Sequence, residues 1–307
     1  MRICIMGAGP VGGYFGALLA RAGNSVFFIS RGRRLLALKK RPLRVESING
    51  SFSVRVKAAD DPHEFAPYDL VLFTVKNRDT EGAIKALRGS VGRATIILPL
   101  QNGLDCDKIL KKHFGGRVIG GVAFIASTMK ENGAILHEAA GSIGMGELSG
   151  GGKTGRVERL ATVFKNASIP CSVYSDFREA KWKKLSWNIC FNPLSVIFET
   201  TAGNIIKNKH ARNIGERLMK EAISIARKKG LRLREKKLIE WNFTPHKGLD
   251  NFRTSMLQDY LNGRSMEIEG ILGSVLRESK KYGLSVPCTQ AVYDILKCKE
   301  ELNLRKG

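Results

Sequence analysis

The run Arg2-Ile-Cys-Ile-Met6, followed by Gly7-Ala8-Gly9-Pro10-Val11-Gly12, decides how the chain begins to fold. The first five residues form an apolar segment of strand length. The next six have the spacing GxGxxG. Residues 13–22 then carry helical spacing and stop at Gly23, and Ser25-Val-Phe-Phe-Ile29 reads as a second apolar strand. A strand, a glycine turn, a helix and a strand within about 30 residues is the context that gives this motif meaning. Gly7 permits the tight turn, Gly9 lets backbone approach a pyrophosphate, and Gly12 lets the helix pack on the strand. The helix N-terminus then faces the phosphates. Without that context the same turn would be read as helix–strand packing alone.

The end of the second strand chooses between cofactors. A site for NAD places Asp or Glu there to bind the ribose hydroxyls. Here the chain reads Ser30-Arg31-Gly32-Arg33-Arg34. Arginine can pair with a 2′-phosphate through charge-assisted bonds, so the expectation is NADPH/NADP+ with Arg31 as the main contact. Arg33 and Arg34 are either helpers or solvent-exposed. Further strands are expected around an Asn49-Gly50 turn in residues 43–58, and at Tyr68–Val75 and Ala94–Leu100. The last two end at Lys76 and at Gln101-Asn102-Gly103, where ligands collect in open parallel sheets. Helices are expected near 79–88, 105–113 and 156–167, with strands near 118–128, 134–138, 142–147 and 171–174. Gly150-Gly-Gly-Lys-Thr154 lacks the spacing of a phosphate-binding loop and reads as a surface turn.

A length of 307 residues fits two domains, and a 43% hydrophobic content is that of a globular chain. No apolar run reaches the roughly 18 residues of a membrane span, and the early glycines break what would be the apolar core of a signal peptide. Six scattered cysteines with no CxxC pair read as reduced thiols in a cytoplasmic protein. No metal site is expected, because no histidines share ligand spacing on one element. The net charge of +23 suits an anionic ligand or nucleic acid. Aromatic residues do not interleave with the basic ones, however, so a basic surface serves equally well and no nucleic-acid partner is expected.

The expected architecture is an α/β Rossmann-type dinucleotide-binding domain over residues 1–175, followed by an all-α domain over 176–307. Helices are expected at 179–199, 208–229, 232–243, 250–261, 264–282 and from about 288, punctuated by Gly230, Gly248, Gly263, Gly283 and Pro287. The substrate of such a protein is held between its two parts. The first of these helices contains Lys181-Trp-Lys-Lys-Leu-Ser-Trp-Asn-Ile-Cys-Phe-Asn-Pro-Leu194, with Pro193 expected to kink or fray it. Lys184, Asn188 and Asn192 are spaced four apart and form one stripe. That stripe is either a solvated face or the wall of a polar site.

Several motifs, in order and over nearly the full length, resemble the ketopantoate reductase (2-dehydropantoate 2-reductase) family. They are Gly7–Gly12, Val75-Lys76, Gln101-Asn102-Gly103, Trp182–Asn188, Asn192-Pro-Leu194, Ser255–Asp259, Gly263–Glu269 and Gly283–Pro287. The resemblance implies NADPH-dependent reduction of 2-dehydropantoate to pantoate, a step toward coenzyme A. It implies Lys184 as the catalytic lysine and general acid, and Glu267 as the essential glutamate. Asn102, Asn188, Asn192 and Ser255 then contact substrate. Gly7, Ala8, Gly9, Pro10, Val11, Gly12, Arg31, Lys76, Asn102 and Glu267 lie toward the cofactor. One further substrate asparagine of the family is replaced: the chain has Ala202 by ungapped count, with Asn204 two residues on.

The residue types suit the chemistry. Hydride transfer to a ketone places negative charge on oxygen, which an ammonium can stabilise and then protonate. Glu267, expected on a separate helix, could orient Lys184 or hold a hydroxyl. Ser255 could be a ligand or a helix cap. Two alternatives remain: an NADP-dependent reductase of another branched 2-keto acid, invited by Ala202, and a non-catalytic protein that senses NADPH or binds nucleic acid. The expected partner is a small 2-keto acid, with no membrane and with a homodimer among the allowed assemblies.

Overall fold

Four of the five residues of the first strand, β1 (Arg2–Met6), are buried, so this strand sits at the centre of a sheet covered on both faces. A computed structural model describes residues 1–148, 152–245 and 249–304. Gly150 and Gly151 of the glycine-rich turn, and the expected helix stop Gly248, lie outside the described residues. The chain divides into two units, Met1–Gln101 with Cys106–Phe177, and Asn102–Asp105 with Arg178–Gly307.

In the first unit β1 is followed by α1 (Pro10–Arg21), β2 (Ser25–Ile29), α2 (Gly32–Lys40), β3 (Leu43–Ser47), β4 (Phe52–Val54), β5 (Lys57–Ala59), β6 (Leu70–Phe73), α3 (Thr80–Leu87), β7 (Ile96–Pro99), α4 (Cys106–Phe114), β8 (Gly120–Met129), β9 (Ile135–Gly146), α5 (Gly155–Asn166) and β10 (Cys171–Val173). Strands β5-β2-β1-β6-β7 make one sheet, and all of its pairs are parallel. The chain moves outward from β1 on one side, then returns to it and moves outward on the other. Ligands of such sheets gather at the carboxyl ends beside this reversal. One apolar layer, including Phe15, Leu19, Phe28 and Ile135, packs on one face; another, including Phe27, Tyr68, Phe73 and Leu110, packs on the other.

A second sheet has the order β10-β9-β3-β4, with β8 antiparallel to β9 along its length. The expected hairpin is present: β3 pairs antiparallel with β4, and Gly50 turns between them at φ +99°. Residues 57–59 differ from expectation, because they leave the hairpin to become the parallel edge beside β2. The two strands expected over 134–147 are one strand, β9. Positive φ at Ala140 and Gly141 and a register shift against β8 make the irregularity that alternation in the sequence showed as a break.

The second unit contains α6 (Phe177–Ile197, its first residue belonging to the other unit), α7 (Ala202–Lys207), α8 (Lys209–Lys228), α9 (Glu235–Phe243), α10 (Ser255–Leu261), α11 (Ser274–Tyr282) and α12 (Pro287–Leu304). A π-helical turn, Glu269–Gly273, leads into α11. Helix α6 is apolar around most of its circumference, as a helix surrounded by others must be. Leu185, Ile189, Cys190, Phe191 and Leu194 are fully or almost fully buried, each large apolar side chain contributing about 1.5–3 kcal/mol. The helix passes through Pro193 to Ile197, so it does not fray there. Gly215 lets α8 lie against it, since a Cβ there would sit 2.4 Å from Cys190 Sγ. The short α7, capped by Thr201, was not expected because six residues carry too little periodicity.

The glycines of the first turn divide by cause. A Cβ on Gly12 would lie 2.2 Å from the Gly7 carbonyl oxygen and 2.4 Å from Thr74 Oγ1, whereas one on Gly9 meets nothing within 4 Å. Gly12→Ala should therefore lose about 1–3 kcal/mol of stability or fail to fold, while Gly9→Ala, at φ −72°, should unfold within about 0.5 kcal/mol of wild type. Urea unfolding of the two variants checks this.

Candidate functional site

In the first unit the turn after β1 is fixed by hydrogen bonds from outside it. The Gly7 N–H donates to the Ile29 carbonyl at 3.2 Å, and Thr74 Oγ1 donates to the Gly7 carbonyl at 2.7 Å. Arg34 Nε donates to the Ala8 carbonyl at 3.0 Å. The carbonyls of Gly7 and Ala8 are thus both engaged. Among the described residues no group accepts from the N–H of Ala8 or of Gly9. Gly9 is the N-cap of α1, and no side chain caps that helix. Open donors at a helix start, with open space above Gly9, form a place for an anion.

Arg31 follows β2 at the N-cap position of α2 and is exposed. No carboxylate stands in Ser30–Arg34 to repel a phosphate. Arg33 is exposed as well. Arg34 is instead drawn inward, and its Nη1 also donates to the Gly133 carbonyl at 2.7 Å. Lys76 is half-buried two residues beyond Thr74, past the carboxyl end of β6.

In the second unit the stripe on α6 is not a solvated face. Asn188 and Asn192 are each 3% exposed, and Lys184 is partly buried. Asn188 Nδ2 donates to Asn102 Oδ1 at 3.3 Å, and Asn102 Nδ2 donates to Glu267 Oε2 at 3.0 Å. Three residues singled out separately in the sequence therefore form one chain of bonds. The Lys184 Nζ lies 5.8 Å from the centre of the Trp187 ring, and Trp187 in turn packs on Phe191 and Phe252. The residue as a whole is half-buried, and burial lowers its pKa from the ordinary 10.5 to about 8.

Backbone features place these groups. Gly103, at φ +90°, presses its backbone against Gly270; a Cβ there would be 1.9 Å from the Gly270 carbonyl oxygen. Arg277 bonds to Asp105 at 2.7 Å and to Glu269 at 3.0 Å, and Tyr293 donates to Glu269. The Met266 N–H donates to Glu300 Oε1 at 2.6 Å, which fixes the residue before Glu267. The helix expected over 264–282 begins only near Ile268, so Glu267 stands in the turn before it and its carbonyl accepts from the Ile271 N–H. Asp105, Arg277 and Glu300 had no sequence signal, because their partners are distant in the chain and their types are ordinary on a surface.

Ser255 is exposed at the first residue of α10. The cap is Thr254, which accepts from the Leu257 N–H and pairs with Ser195 Oγ at 2.6 Å. Ser195 also donates to the Asn192 carbonyl, so the start of α10 is moored to α6 beside Asn192. Ala202 is fully buried, while Asn204 is exposed and gives its amide to Thr200 Oγ1 at 2.9 Å. Among the described residues no group of three or more His, Cys, Asp or Glu could hold a metal, and no helix is long and apolar enough to cross a membrane.

A parallel sheet with open donors at its first turn, and a helical unit that sets a partly buried lysine on one stripe with two buried asparagines, define the class of dinucleotide-dependent oxidoreductases. Comparison with known proteins narrows this. The family model described as ketopantoate reductase PanE/ApbA matches residues 3–150, and its C-terminal counterpart matches residues 176–300. A 2-dehydropantoate 2-reductase of Pyrococcus horikoshii is 31% identical, with 98% of each chain covered. The crystal structure of 2-dehydropantoate 2-reductase from Geobacter metallireducens is 35% identical with a TM-score of 0.89, covering 97% of this chain and 99% of that one. A D-mandelate dehydrogenase bound to NADH and anilino(oxo)acetate covers 99% of both chains at a TM-score of 0.92; at 22% identity it shares the fold. The chain belongs to the ketopantoate reductase family and is an oxidoreductase.

The lowered pKa of Lys184 has a consequence for stability. Between pH 8 and 10.5 the unfolded chain binds the Lys184 proton more fully than the folded one, so this group makes stability rise with pH across that window. Below about pH 8 its unfavourable contribution is fully present. Lys184→Met removes it, so the Tm difference between variant and wild type, taken as variant minus wild type, should fall as pH is raised through the window. Calorimetric Tm values from pH 7.5 to 10.5 check the sign.

Proposed function

We propose that the protein reduces 2-dehydropantoate to pantoate with NADPH, with Lys184 as the general acid. The observation that carries the proposal is the partly buried ammonium of Lys184, with a pKa near 8, on the same stripe as two buried asparagines. A lysine on a solvated face has no reason to titrate so low. Family membership supports the substrate, since the Pyrococcus horikoshii and Geobacter metallireducens relatives bear the name 2-dehydropantoate 2-reductase.

The cofactor fits the residues present. The N–H groups of Ala8 and Gly9 and the start of α1 would hold the pyrophosphate, and Arg31 the 2′-phosphate. Lys76, half-buried past the end of β6, would contact the same molecule. When bound, NADPH supplies the hydride. Lys184 donates a hydrogen bond to the ketone oxygen, stabilises the negative charge that grows there, and gives it a proton. Asn188 and Asn192 bind the substrate's oxygens and orient it. Glu267 accepts from Asn102, which fixes that amide so that its oxygen faces Asn188. Ser255, at the exposed start of α10, contributes a hydroxyl to the substrate. At neutral pH the ammonium remains the main form of Lys184, and it is close enough to its pKa to release its proton readily.

A second reading is favoured by Ala202. A buried methyl group stands where the family carries an asparagine, and Asn204 is turned to Thr200. One polar contact to substrate is therefore missing, which opens the site to another branched 2-keto acid.

Lys184→Ala should lower kcat by about 10²–10⁴, with NADPH affinity nearly unchanged. Turnover within about threefold of wild type would return the stripe to a structural role. In the wild type, kcat should decline as pH rises through about 8, because the acid form of Lys184 is lost; a flat profile to pH 10 would contradict the assignment. Arg31→Ala should weaken NADPH by about 1.5–3 kcal/mol and NADH much less, as titration calorimetry would show.

A further inference from the structure

Arg34 lies in the cluster expected to greet a 2′-phosphate, yet unlike Arg31 and Arg33 it is half-buried. Its Nε and Nη1 are committed to the carbonyls of Ala8 and Gly133. Its Nη2 is buried with no partner among the described residues, and it lies 3.6 Å from where a Cβ on Gly13 would be. Burial lowers its pKa, but a guanidinium stays charged. A half-buried cation with a buried, unmet donor is costly, and a short α/β crossover does not need one.

We propose that Arg34 is a positioning residue for the dinucleotide, one that aims the Gly9 N–H at the pyrophosphate by holding the Ala8 carbonyl. This inference rests on the NADPH reading above. The Ala8–Gly9 peptide is trans, so its carbonyl and its N–H point in opposite directions. With the carbonyl bonded to Arg34, the Gly9 N–H faces the other way, and among the described residues no group accepts from it. Thr74 does the same one peptide earlier: it holds the Gly7 carbonyl, and the Ala8 N–H is left open. Two successive donors are thereby fixed outward before a ligand arrives, which removes an ordering cost from binding. The guanidinium also adds a positive charge beside the turn, next to the Ala8 carbonyl. Arg31 contrasts with it. Arg31 is exposed and, as the 2′-phosphate contact, distinguishes NADPH from NADH. Arg34 acts on the part that the two cofactors share.

The test is equilibrium binding, independent of turnover. NADPH and NADH are titrated calorimetrically into wild type, Arg34→Met and Arg31→Ala, each checked for a cooperative thermal transition. Arg34→Met should weaken both cofactors by a similar factor of about tenfold or more and leave their ratio unchanged, while Arg31→Ala changes the ratio. Wild-type affinity in Arg34→Met would overturn the proposal. A loss confined to NADPH would overturn it too, because Arg34 would then be a 2′-phosphate contact. If wild type binds neither cofactor, the dinucleotide reading fails and this inference with it. Should Arg34→Met not fold, amide hydrogen exchange on wild type decides. Added NADPH should slow exchange at Ala8 and Gly9, and unchanged exchange at both would refute the proposal.

Discussion

The helical unit depends on one constraint: α6 buries a polar stripe inside an apolar shell. An amide left unpaired in such a place costs about 1–3 kcal/mol, and a lysine resists burial more strongly. The stripe persists because the rest of the helix is packed so densely. Leu185 and Ile189 pack on one flank of the stripe and Phe191 and Leu194 on the other, Gly215 lets α8 approach, and Asn242 on α9 bonds Ser186 at 3.1 Å. Asn188 recovers part of its cost through Asn102, and Asn102 through Glu267. What remains is a lysine whose proton is loosely held. Stability is given up at the stripe to which the proposed function assigns the chemistry, as strained or polar sites commonly require.

The glycine turn follows the same logic on backbone atoms. Gly7 and Gly12 are demanded by neighbouring atoms of the protein itself, at Val75 and at the Gly7 carbonyl. Gly9 is demanded by nothing in the chain, which is what a position reserved for a ligand looks like. Thr74 and Arg34 each hold one carbonyl of the turn, and among the described residues nothing accepts from the N–H groups of Ala8 and Gly9. Neither unit builds its site from unusual residues. Each restricts ordinary ones to a single direction.

Much of the fold could be read from the sequence because its signals are local. The strand–turn–helix–strand order, the Asn49-Gly50 hairpin and the long α6 and α8 follow from apolar period and turn chemistry. What escaped is set by tertiary pairing. Residues 57–59 carry no mark of joining β2, and the bulge within β9 reads as a gap between two strands. Lys184, Asn188 and Asn192 declared their shared face by spacing, but only packing shows that this face is buried. That Asn102 and Glu267 meet, 165 residues apart, is not a local property at all. Arg34 shows the limit most clearly: its position in a basic cluster pointed outward to solvent or phosphate, and its side chain turned inward to the Ala8 carbonyl.

The central claim is a reaction on one substrate, and steady-state turnover tests it directly. Purified protein with saturating NADPH is given 2-dehydropantoate and, separately, a panel of 2-keto acids with other branched or aromatic substituents, while absorbance of the nicotinamide and the hydroxy-acid product are followed. Stoichiometric NADPH oxidation with pantoate as product, and the highest kcat/KM for 2-dehydropantoate, are the expected results. Absence of oxidation with every acid would contradict the account, and a kcat/KM more than about tenfold higher for another acid, a difference of about 1.4 kcal/mol, would replace its substrate.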